Sequence, residues 1–336
     1  MKTLTQLAGG FEKLLARLPS AIRKPVEREW RPLQELFLRR RAARLLVIEE
    51  PGAAAEDWLR TVFQMDQGKT EAGVYPWSLY QHRGTLEFAV AGREETAHSA
   101  ILGAAPDLLL VVAGKEPPDL AQLRRLHAFA CERYSKLPPI VAVGPDALGL
   151  REALNAESSV RLSVAAVFEP ARREAVLAAI GQTLPLEARL EFARVSGEPS
   201  AQIEIAALLT RSTSAVCAAI GMQPIPLADF PLLTSLQVAM VAGIIHATGR
   251  EWGMRLARDF LSALGVNIGV GFLLREGARA AVKLLPGWGN AISGAVAGAG
   301  TYAIGRAATA YFIEGLPMAE ARRQFKFLKN RKRPPQ

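Results

Sequence analysis

An unbroken apolar run, Asp107-Leu-Leu-Leu-Val-Val-Ala113, constrains the fold more than any other segment of the chain. It has the length of a strand, and a strand that is apolar throughout is buried on both faces, as in parallel sheets. A helical pattern follows from about Asp119 to Tyr134, and a second apolar run follows over residues 139–144. Strands that alternate with helices predict a mostly parallel sheet wrapped by helices.

The alternation extends in both directions from this run. Further strands are predicted over residues 44–48, 74–80, 85–91 and 161–168. Pro76 interrupts the second of these as it would an edge strand, and a turn over residues 81–84 joins it to the third, so the pair forms an edge hairpin. We therefore expect an α/β domain with a mixed sheet over residues 44–184. Ligands of such sheets bind at the carboxyl ends of the strands.

Beyond residue 184 the periodicity is helical throughout. Helices are predicted over residues 186–195, 200–220, 230–248, 253–264, 265–285, 289–312 and 318–328, with Pro and Gly between them. Residues 185–316 are therefore expected to form an all-helical domain, and the predicted fold class is α/β followed by all-α. Residues 1–43 are expected to form basic amphipathic helices, and residues 317–336 a basic C-terminal tail.

Composition excludes several classes of protein. Half of the 336 residues are hydrophobic and 22% are charged, which is too apolar for a disordered chain. Two cysteines, Cys131 and Cys217, and four scattered histidines build neither a disulfide framework nor a structural zinc site. A metal-free protein is therefore expected. The N-terminal helix lacks the unbroken apolar core of an export signal, so the expected location is the cytoplasm.

The loop after the first strand bears directly on nucleotide binding. A strand, a Gly-containing loop, a helix, an edge hairpin and two buried strands occur in the order of small GTPases of the translation-factor type, and the chain resembles that class in layout. The resemblance implies a P-loop NTPase fold. Its phosphate loop requires Gly-x-x-x-x-Gly-Lys-Ser/Thr, in which glycines admit the phosphate, Lys neutralises it and the hydroxyl binds magnesium. The corresponding positions here are Glu49-Glu50-Pro51-Gly52-Ala53-Ala54-Ala55-Glu56.

These replacements predict that the loop does not bind a nucleotide. Ala54 and Ala55 stand for the second glycine and the lysine, and Glu56 stands for the hydroxyl. Glu49 and Glu56 would repel a triphosphate. Glu56 and Asp57 are instead expected at the N-terminus of the following helix, where they supply negative charge and fill the phosphate position. If Glu56 and Asp57 are instead ordinary surface acids, the prediction that the loop does not bind a nucleotide is unchanged.

Two further nucleotide motifs of that class are missing. Ala89-Val90-Ala91-Gly92 stands where Asp-x-x-Gly would hold the magnesium shell, and Gly144-Pro145-Asp146-Ala147 stands where Asn-Lys-x-Asp would read guanine. Serine, histidine and aspartate occur without a Gly-x-Ser-x-Gly turn, so no catalytic residue is assigned. We expect no cofactor and no enzymatic activity.

The helical half carries a second resemblance, over roughly residues 222–315. Pro226-Leu227-Ala228-Asp229, the segment Lys283 to Gly289 and the segment Gly305-Arg306-Ala307 are similar to motifs of a helical domain of unknown function. That domain occurs C-terminal to bacterial Era-like GTPases and in YcjF-type membrane proteins. The resemblance implies a GTPase-type domain beside it and membrane association, but no known activity.

Two uncharged stretches, residues 230–249 and 284–305, are each long enough to cross a hydrocarbon core of about 30 Å as a helix. The second has small residues at helical spacing, a face that lets helices approach closely. These residues are Ala291, Gly294, Ala295, Gly298, Ala299 and Ala303. A buried bundle core and a membrane-spanning hairpin both fit this pattern.

Arg306 lies within an apolar helical pattern, where a buried guanidinium requires a carboxylate or carbonyl partner. Asp229 is the predicted partner because the motifs of the helical domain contain both residues. In the alternative interpretation, the Arg306 side chain reaches the surface.

The C-terminal tail mixes cations with Phe325 and Phe327. An anionic lipid surface is the predicted partner, since it attracts each nearby cation by roughly 1 kcal/mol. Nothing else in the chain resembles a stacking platform or a groove-reading helix, so no nucleic acid is expected. A solvated, disordered tail is the alternative. The cations are Arg322, Arg323, Lys326, Lys329, Arg331, Lys332 and Arg333.

Together these features predict a non-catalytic pseudo-GTPase of the cytoplasm, with peripheral or integral association with the inner membrane. It would act as a scaffold or regulator through a protein partner that the sequence does not identify. One alternative is a GTP-binding protein with an unconventional phosphate loop, and another is an integral membrane protein that spans through residues 230–249 and 284–305.

Overall fold

A seven-stranded sheet forms the centre of residues 41–201 in the computed structural model, while residues 1–40 and 202–336 form a second, helical unit. The structure describes residues 20–64, 69–71, 77–81, 84–91, 103–114, 119–134, 139–144, 164–168, 173–222, 230–266 and 288–331, with single residues at 12, 16, 97, 99, 101 and 152. An α/β part followed by a largely helical part is thereby confirmed.

Within these ranges the secondary structure agrees closely with the predicted periodicities. The strands are β1 (Ala43–Glu49), β2 (Lys69–Glu71), β3 (Trp77–Gln81), β4 (Gly84–Ala91), β5 (Leu108–Val112), β6 (Ile140–Val143) and β7 (Val164–Phe168). The helices are α1 (Ser20–Phe37), α2 (Ala55–Phe63), α3 (Leu120–Tyr134), α4 (Arg173–Thr183), α5 (Leu186–Ser196), α6 (Pro199–Gly221), α7 (Phe230–Ala247), α8 (Met254–Ala263), α9 (Trp288–Phe312) and α10 (Met318–Arg331).

The sheet has the strand order β2-β3-β4-β1-β5-β6-β7. Strands β4, β1, β5, β6 and β7 pair in parallel, and β3 and β2 pair antiparallel at one edge. A parallel pair requires a crossover connection, and α3 lies in the crossover from β5 to β6. Helices α2 and α4, which follow β1 and β7, also pack on the sheet.

Alternate residues of β1 enter two different cores. Leu45 and Val47 pack with α2, α4 and α5 on one face of the sheet. Leu46 and Ile48 pack with α3 on the other face. Because both faces are covered, β5 and β6 are apolar at every position, and the α/β unit has three layers.

The ends of the α/β unit differ from the predicted boundaries. Helix α5 was expected in the helical domain, but Ala188, Phe192 and Val195 are buried in the core formed with the sheet, so the unit continues to residue 201. Residues 1–40 belong to the helical unit rather than to a separate arm. Strand β2 was not predicted, and the first described helix ends at Phe37 rather than near residue 44.

A buried carboxylate fixes the amino ends of β1 and β5. Asp107 is 4% exposed and accepts two hydrogen bonds of 2.6 Å from the Arg41 guanidinium. It also accepts the backbone N–H of Arg44 at 3.0 Å, and its own N–H donates to the Arg44 carbonyl. The bonds from Arg41 to Asp107 raise the pKa of that guanidinium. Arg44 in turn pairs with Glu87 of β4 at 2.7 Å, so three neighbouring strands are joined at this end.

Glycines allow α6 and α9 to approach closely in the helical unit. A Cβ at Gly298 would lie 2.9 Å from the Ala218 Cβ, and one at Gly305 would lie 2.2 Å from the Thr210 hydroxyl oxygen. The small-residue face predicted on α9 therefore includes a real helix contact at Gly298. Helix α7 packs against α8 and α9, and α9 packs against α10.

The apolar helices of this unit are largely buried. Among the described residues, one helix, α6, is long and apolar enough to cross a membrane, and 56% of its most apolar window is buried. Helix α7 contains most of the predicted stretch 230–249, and its residues from Met240 to Ile245 are buried as in a core helix. The predicted helix 265–285 and the start of the stretch 284–305 lie largely outside the described residues.

Replacing Gly305 by Ala is expected to lower the free energy of unfolding by about 1–3 kcal/mol, since the new methyl group would overlap Thr210 at its Cβ, which cannot rotate away. Gly300 is the matched control on the same helix, because a Cβ there meets nothing within 4 Å. Gly300→Ala should raise stability by up to about 1 kcal/mol through helix propensity. Urea unfolding of both variants measures the difference, and equal effects would contradict the close contact.

Candidate functional site

The carboxyl end of β1 is the place where the sequence predicts a degenerate phosphate loop. Glu49, the last residue of β1, turns its side chain towards the start of α2, and its Oε1 accepts the backbone N–H of Ala55 at 3.0 Å. The N-cap residue, Ala54, has no side chain that could accept this bond. A helix N-terminus presents free N–H groups and a partial positive charge, which is why it binds phosphate in many proteins. In this chain a carboxylate of the protein accepts one of these N–H groups.

A second carboxylate closes the neighbouring part of the same edge. Glu50 is 5% exposed, and its Oε2 accepts the backbone N–H of Asp119 at 2.9 Å. The Glu50 N–H donates to the Val112 carbonyl of β5 at 3.1 Å. Asp119 precedes α3, and its side chain caps that helix by accepting the N–H of Gln122 at 2.9 Å. Glu50 therefore ties the loop after β1 to the start of α3, and burial raises the pKa of its carboxyl group.

Two glycines bring the loops of this edge into direct contact. A Cβ at Gly114, just after β5, would lie 2.1 Å from the Pro51 carbonyl oxygen and 2.9 Å from the Ala53 nitrogen. Gly144, just after β6, has φ +130°, and a Cβ there would lie 2.2 Å from the Ala113 carbonyl oxygen. Backbone of the loop after β1 thus lies directly against Gly114.

The predicted loop residues occupy different environments. Gly52 has φ +72° and lies in the turn, where the left-handed conformation favours glycine. Ala55, at the position of the expected lysine, is fully buried in the core beside the sheet. Glu56 is in the first turn of α2, but its side chain is 68% exposed and pairs with Arg60 at 2.7 Å. Glu56 and Asp57 thus lie in the first turn of α2 as expected, but Glu49 is the carboxylate that accepts the Ala55 N–H.

The other nucleotide motifs are partly described. Ala89 and Ala91 of β4 are buried in the core on the α3 side of the sheet, so neither presents a group to a magnesium ion. Gly92 and residues 145–147 lie outside the described residues. Within the described ranges, no three His, Cys, Asp or Glu side chains are grouped as metal ligands would be.

Arg306 has a different observed partner from the predicted one. Its guanidinium lies 3.6 Å from the Glu314 carboxylate, and both side chains are about one-third exposed. Asp229 lies outside the described residues, so its pairing with Arg306 stays a prediction.

The C-terminal cations begin on α10. Arg322, Arg323 and Lys326 are exposed on this helix. Lys329 and Arg331 also belong to α10, although their side chains, like all of Lys332 and Arg333, lie outside the described residues. The tail is therefore helical as far as Arg331 rather than disordered from residue 317.

Sequence reasoning missed a polar contact inside the helical unit. The Gln237 amide of α7 donates to the Thr301 hydroxyl of α9 at 2.9 Å. Thr301 also bonds to Cys217 of α6, whose complete burial raises the pKa of its thiol to about 12. A thiol with that pKa stays protonated at neutral pH and is not a nucleophile. Gln237 interrupts an otherwise apolar stretch, and this was the available signal that it has a buried partner.

Comparison with known proteins assigns no relative. No protein-family model, curated protein or solved structure matches this chain. Its function must therefore be inferred from the geometry of the described residues.

Removing the Glu49 carboxylate should weaken the start of α2. Glu49→Ala is expected to lower the free energy of unfolding by about 1 kcal/mol, as loss of a helix N-cap does. Glu56→Ala is the matched control, because it removes an exposed carboxylate from the same helix and should change stability by less than about 0.5 kcal/mol. Denaturant unfolding compares the two variants. The assignment is wrong if Glu56→Ala is the more destabilising change.

The raised pKa of the Glu50 carboxyl group predicts that the contribution of this residue to stability depends on pH. Its pKa is higher in the folded protein than the ordinary value of 4.5, so the folded state binds this proton more tightly than the unfolded chain. The free energy of unfolding should therefore decline as the pH rises from about 4.5 through the folded-state pKa. Glutamine does not titrate, so Glu50→Gln should gain stability relative to wild type over that window. Unfolding across a pH series tests this, with Glu56→Gln as control, and a constant difference between Glu50→Gln and wild type would contradict it.

Proposed function

We propose that this chain is a non-catalytic, GTPase-like protein that acts as a scaffold or regulator at the cytoplasmic face of the inner membrane. The observation that carries the proposal is the bond from the Ala55 N–H to the Glu49 carboxylate, which uses the helix-terminal donor that a phosphate would need. A P-loop NTPase fold is the finer part of the proposal. Strand β1, its loop and α2, followed by the hairpin β3–β4 and the buried strands β5 and β6, support it by their order.

Three features of this edge each disfavour nucleotide binding. The Glu49 carboxylate would repel a phosphate approaching α2, and no cation stands at position 55 to offset that repulsion. The buried Glu50 adds a second acid beside the same loop. The loop backbone lies directly against Gly114. A GTP-binding protein with an unconventional loop would have to displace both carboxylates from their backbone donors.

Without a catalytic site, the proposed activity consists of binding a protein partner. A GTPase-like domain that binds no nucleotide would undergo no nucleotide-driven change of conformation, so recognition of the partner would not depend on nucleotide. The partner itself is not identified by the described residues.

The proposed membrane contact is peripheral, through the basic C-terminal helix. The second candidate is integral insertion, which the length and apolar composition of α6 favour, since it is the one described helix that could span. Extraction of membranes with alkaline carbonate distinguishes peripheral from integral association, because only a spanning protein stays in the membrane pellet.

Calorimetric titration of the full chain with GTP and Mg²⁺ tests the proposal. We expect no saturable heat, which corresponds to a dissociation constant weaker than about 1 mM. Saturable micromolar binding would overturn the proposal. Glu49→Ala then locates any binding that is seen, because removal of the carboxylate should tighten binding at this edge and leave binding elsewhere unchanged.

A further inference from the structure

The side chains of α10 are sharply divided between a packed face and a cationic face. Ala321 and Phe325, one turn apart, are buried. Arg323 and Phe327, also one turn apart, are exposed on the other side, with Lys326 beside them. Of the two phenylalanines of the tail, Phe325 is therefore packed and Phe327 is exposed, a difference that the sequence pattern did not predict.

Phe327 is the most exposed large hydrophobic residue among those described, with 62% of its surface accessible. It lies within the cationic face, because the exposed Arg323 precedes it by one helical turn and the exposed Lys326 is its neighbour in the chain. An exposed phenylalanine beside two cations is suited to a surface that offers apolar contact directly beneath negative charge.

The start of α10 is held in place by the helical unit itself. The Arg322 Nε donates to the Ala263 carbonyl at the end of α8 at 3.0 Å, and Arg323 pairs with Glu320 one turn before it. Helix α10 carries five cations and Glu320 as its one carboxylate. The cationic face is therefore presented by a fixed helix.

We propose that α10 docks on an anionic phospholipid bilayer, with Phe327 inserted at the acyl boundary and Arg323 and Lys326 against the lipid phosphates. This inference rests on the proposed membrane association and names the face and the lipid charge responsible. The charge of the helix matches an anionic leaflet. A nucleic acid fits less well, because single strands are bound on platforms of successive stacked aromatic residues in a basic groove.

Co-sedimentation of the full chain with vesicles tests the proposal, using phosphatidylcholine alone and phosphatidylcholine with 30% phosphatidylglycerol. Wild type should bind the anionic vesicles and not the neutral ones. The double variant Arg323→Gln/Lys326→Gln should lose about twenty-five-fold in partition coefficient, which is about fivefold for each cation. Phe327→Ala should lose about tenfold through the lost apolar burial, and Phe327→Trp should retain binding.

Two matched control variants test whether the loss of any exposed hydrophobic residue or any exposed cation would weaken vesicle binding. Leu38→Ala removes another exposed hydrophobic residue, and Arg60→Gln removes another exposed cation. Both should bind anionic vesicles as wild type does. All the changes lie at exposed positions, and thermal unfolding checks that each variant is folded.

Three results would overturn the proposal. Wild-type binding by Phe327→Ala would exclude insertion, and wild-type binding by the double variant would exclude α10 as the contact. Tighter binding to a short RNA or DNA duplex than to vesicles, unchanged in Phe327→Ala, would assign the cations to nucleic acid. The vesicle assay contains no nucleotide, so a lack of vesicle binding would not change the outcome of the GTP titration. Likewise, GTP binding would contradict the proposed function without changing the vesicle result.

Discussion

The start of a helix at the carboxyl edge of a parallel sheet is a concentrated source of unpaired N–H groups, and this structure depends on how they are satisfied. The Glu49 carboxylate bonds to the first N–H of α2, and the Glu50 carboxylate bonds to the N–H of Asp119 before α3. In a nucleotide-binding protein the anion that stabilises such an edge is the ligand. Here two adjacent residues of the chain supply the carboxylates that accept these N–H groups.

The opposite end of the sheet is closed by the same chemistry. Asp107 is buried between Arg41 and the backbone N–H of Arg44, and it links the beginnings of β5 and β1. Breaking a buried pair of this kind leaves an uncompensated charge and is strongly destabilising. Carboxylates bonded to backbone donors thus hold both ends of the central strands, and the apolar side chains between them form the two cores.

Sequence periodicity predicted the elements whose signal is contained in their own residues. Helices α6, α7 and α9 and strand β5 lie within a few residues of their predicted limits, because burial of one face or both imposes a repeat that can be read locally. The short β2 carries too few residues for a repeat. Helix α5 was predicted as a helix, but its packing on the sheet was not, because an apolar face does not identify the core in which it is buried.

The residue types at this edge could be read from the sequence, but their contacts could not. The acidic residues of the loop after β1 are evident in the sequence, whereas the choice of Glu49 over Glu56 depends on the path of the loop through the left-handed Gly52. Likewise, Glu314 lies eight residues from Arg306, and only the turn after α9 brings the two side chains together. Contacts that depend on a loop path cannot be read from residue types alone.

The buried position of Ala55 has a consequence for redesign of this edge. A lysine placed there would meet the core of the α/β unit, and a phosphate brought to the edge would still face Glu49 and the backbone that lies against Gly114. A single substitution at position 55 would therefore not create a phosphate site. The Glu49 carboxylate and the contact at Gly114 would have to change as well.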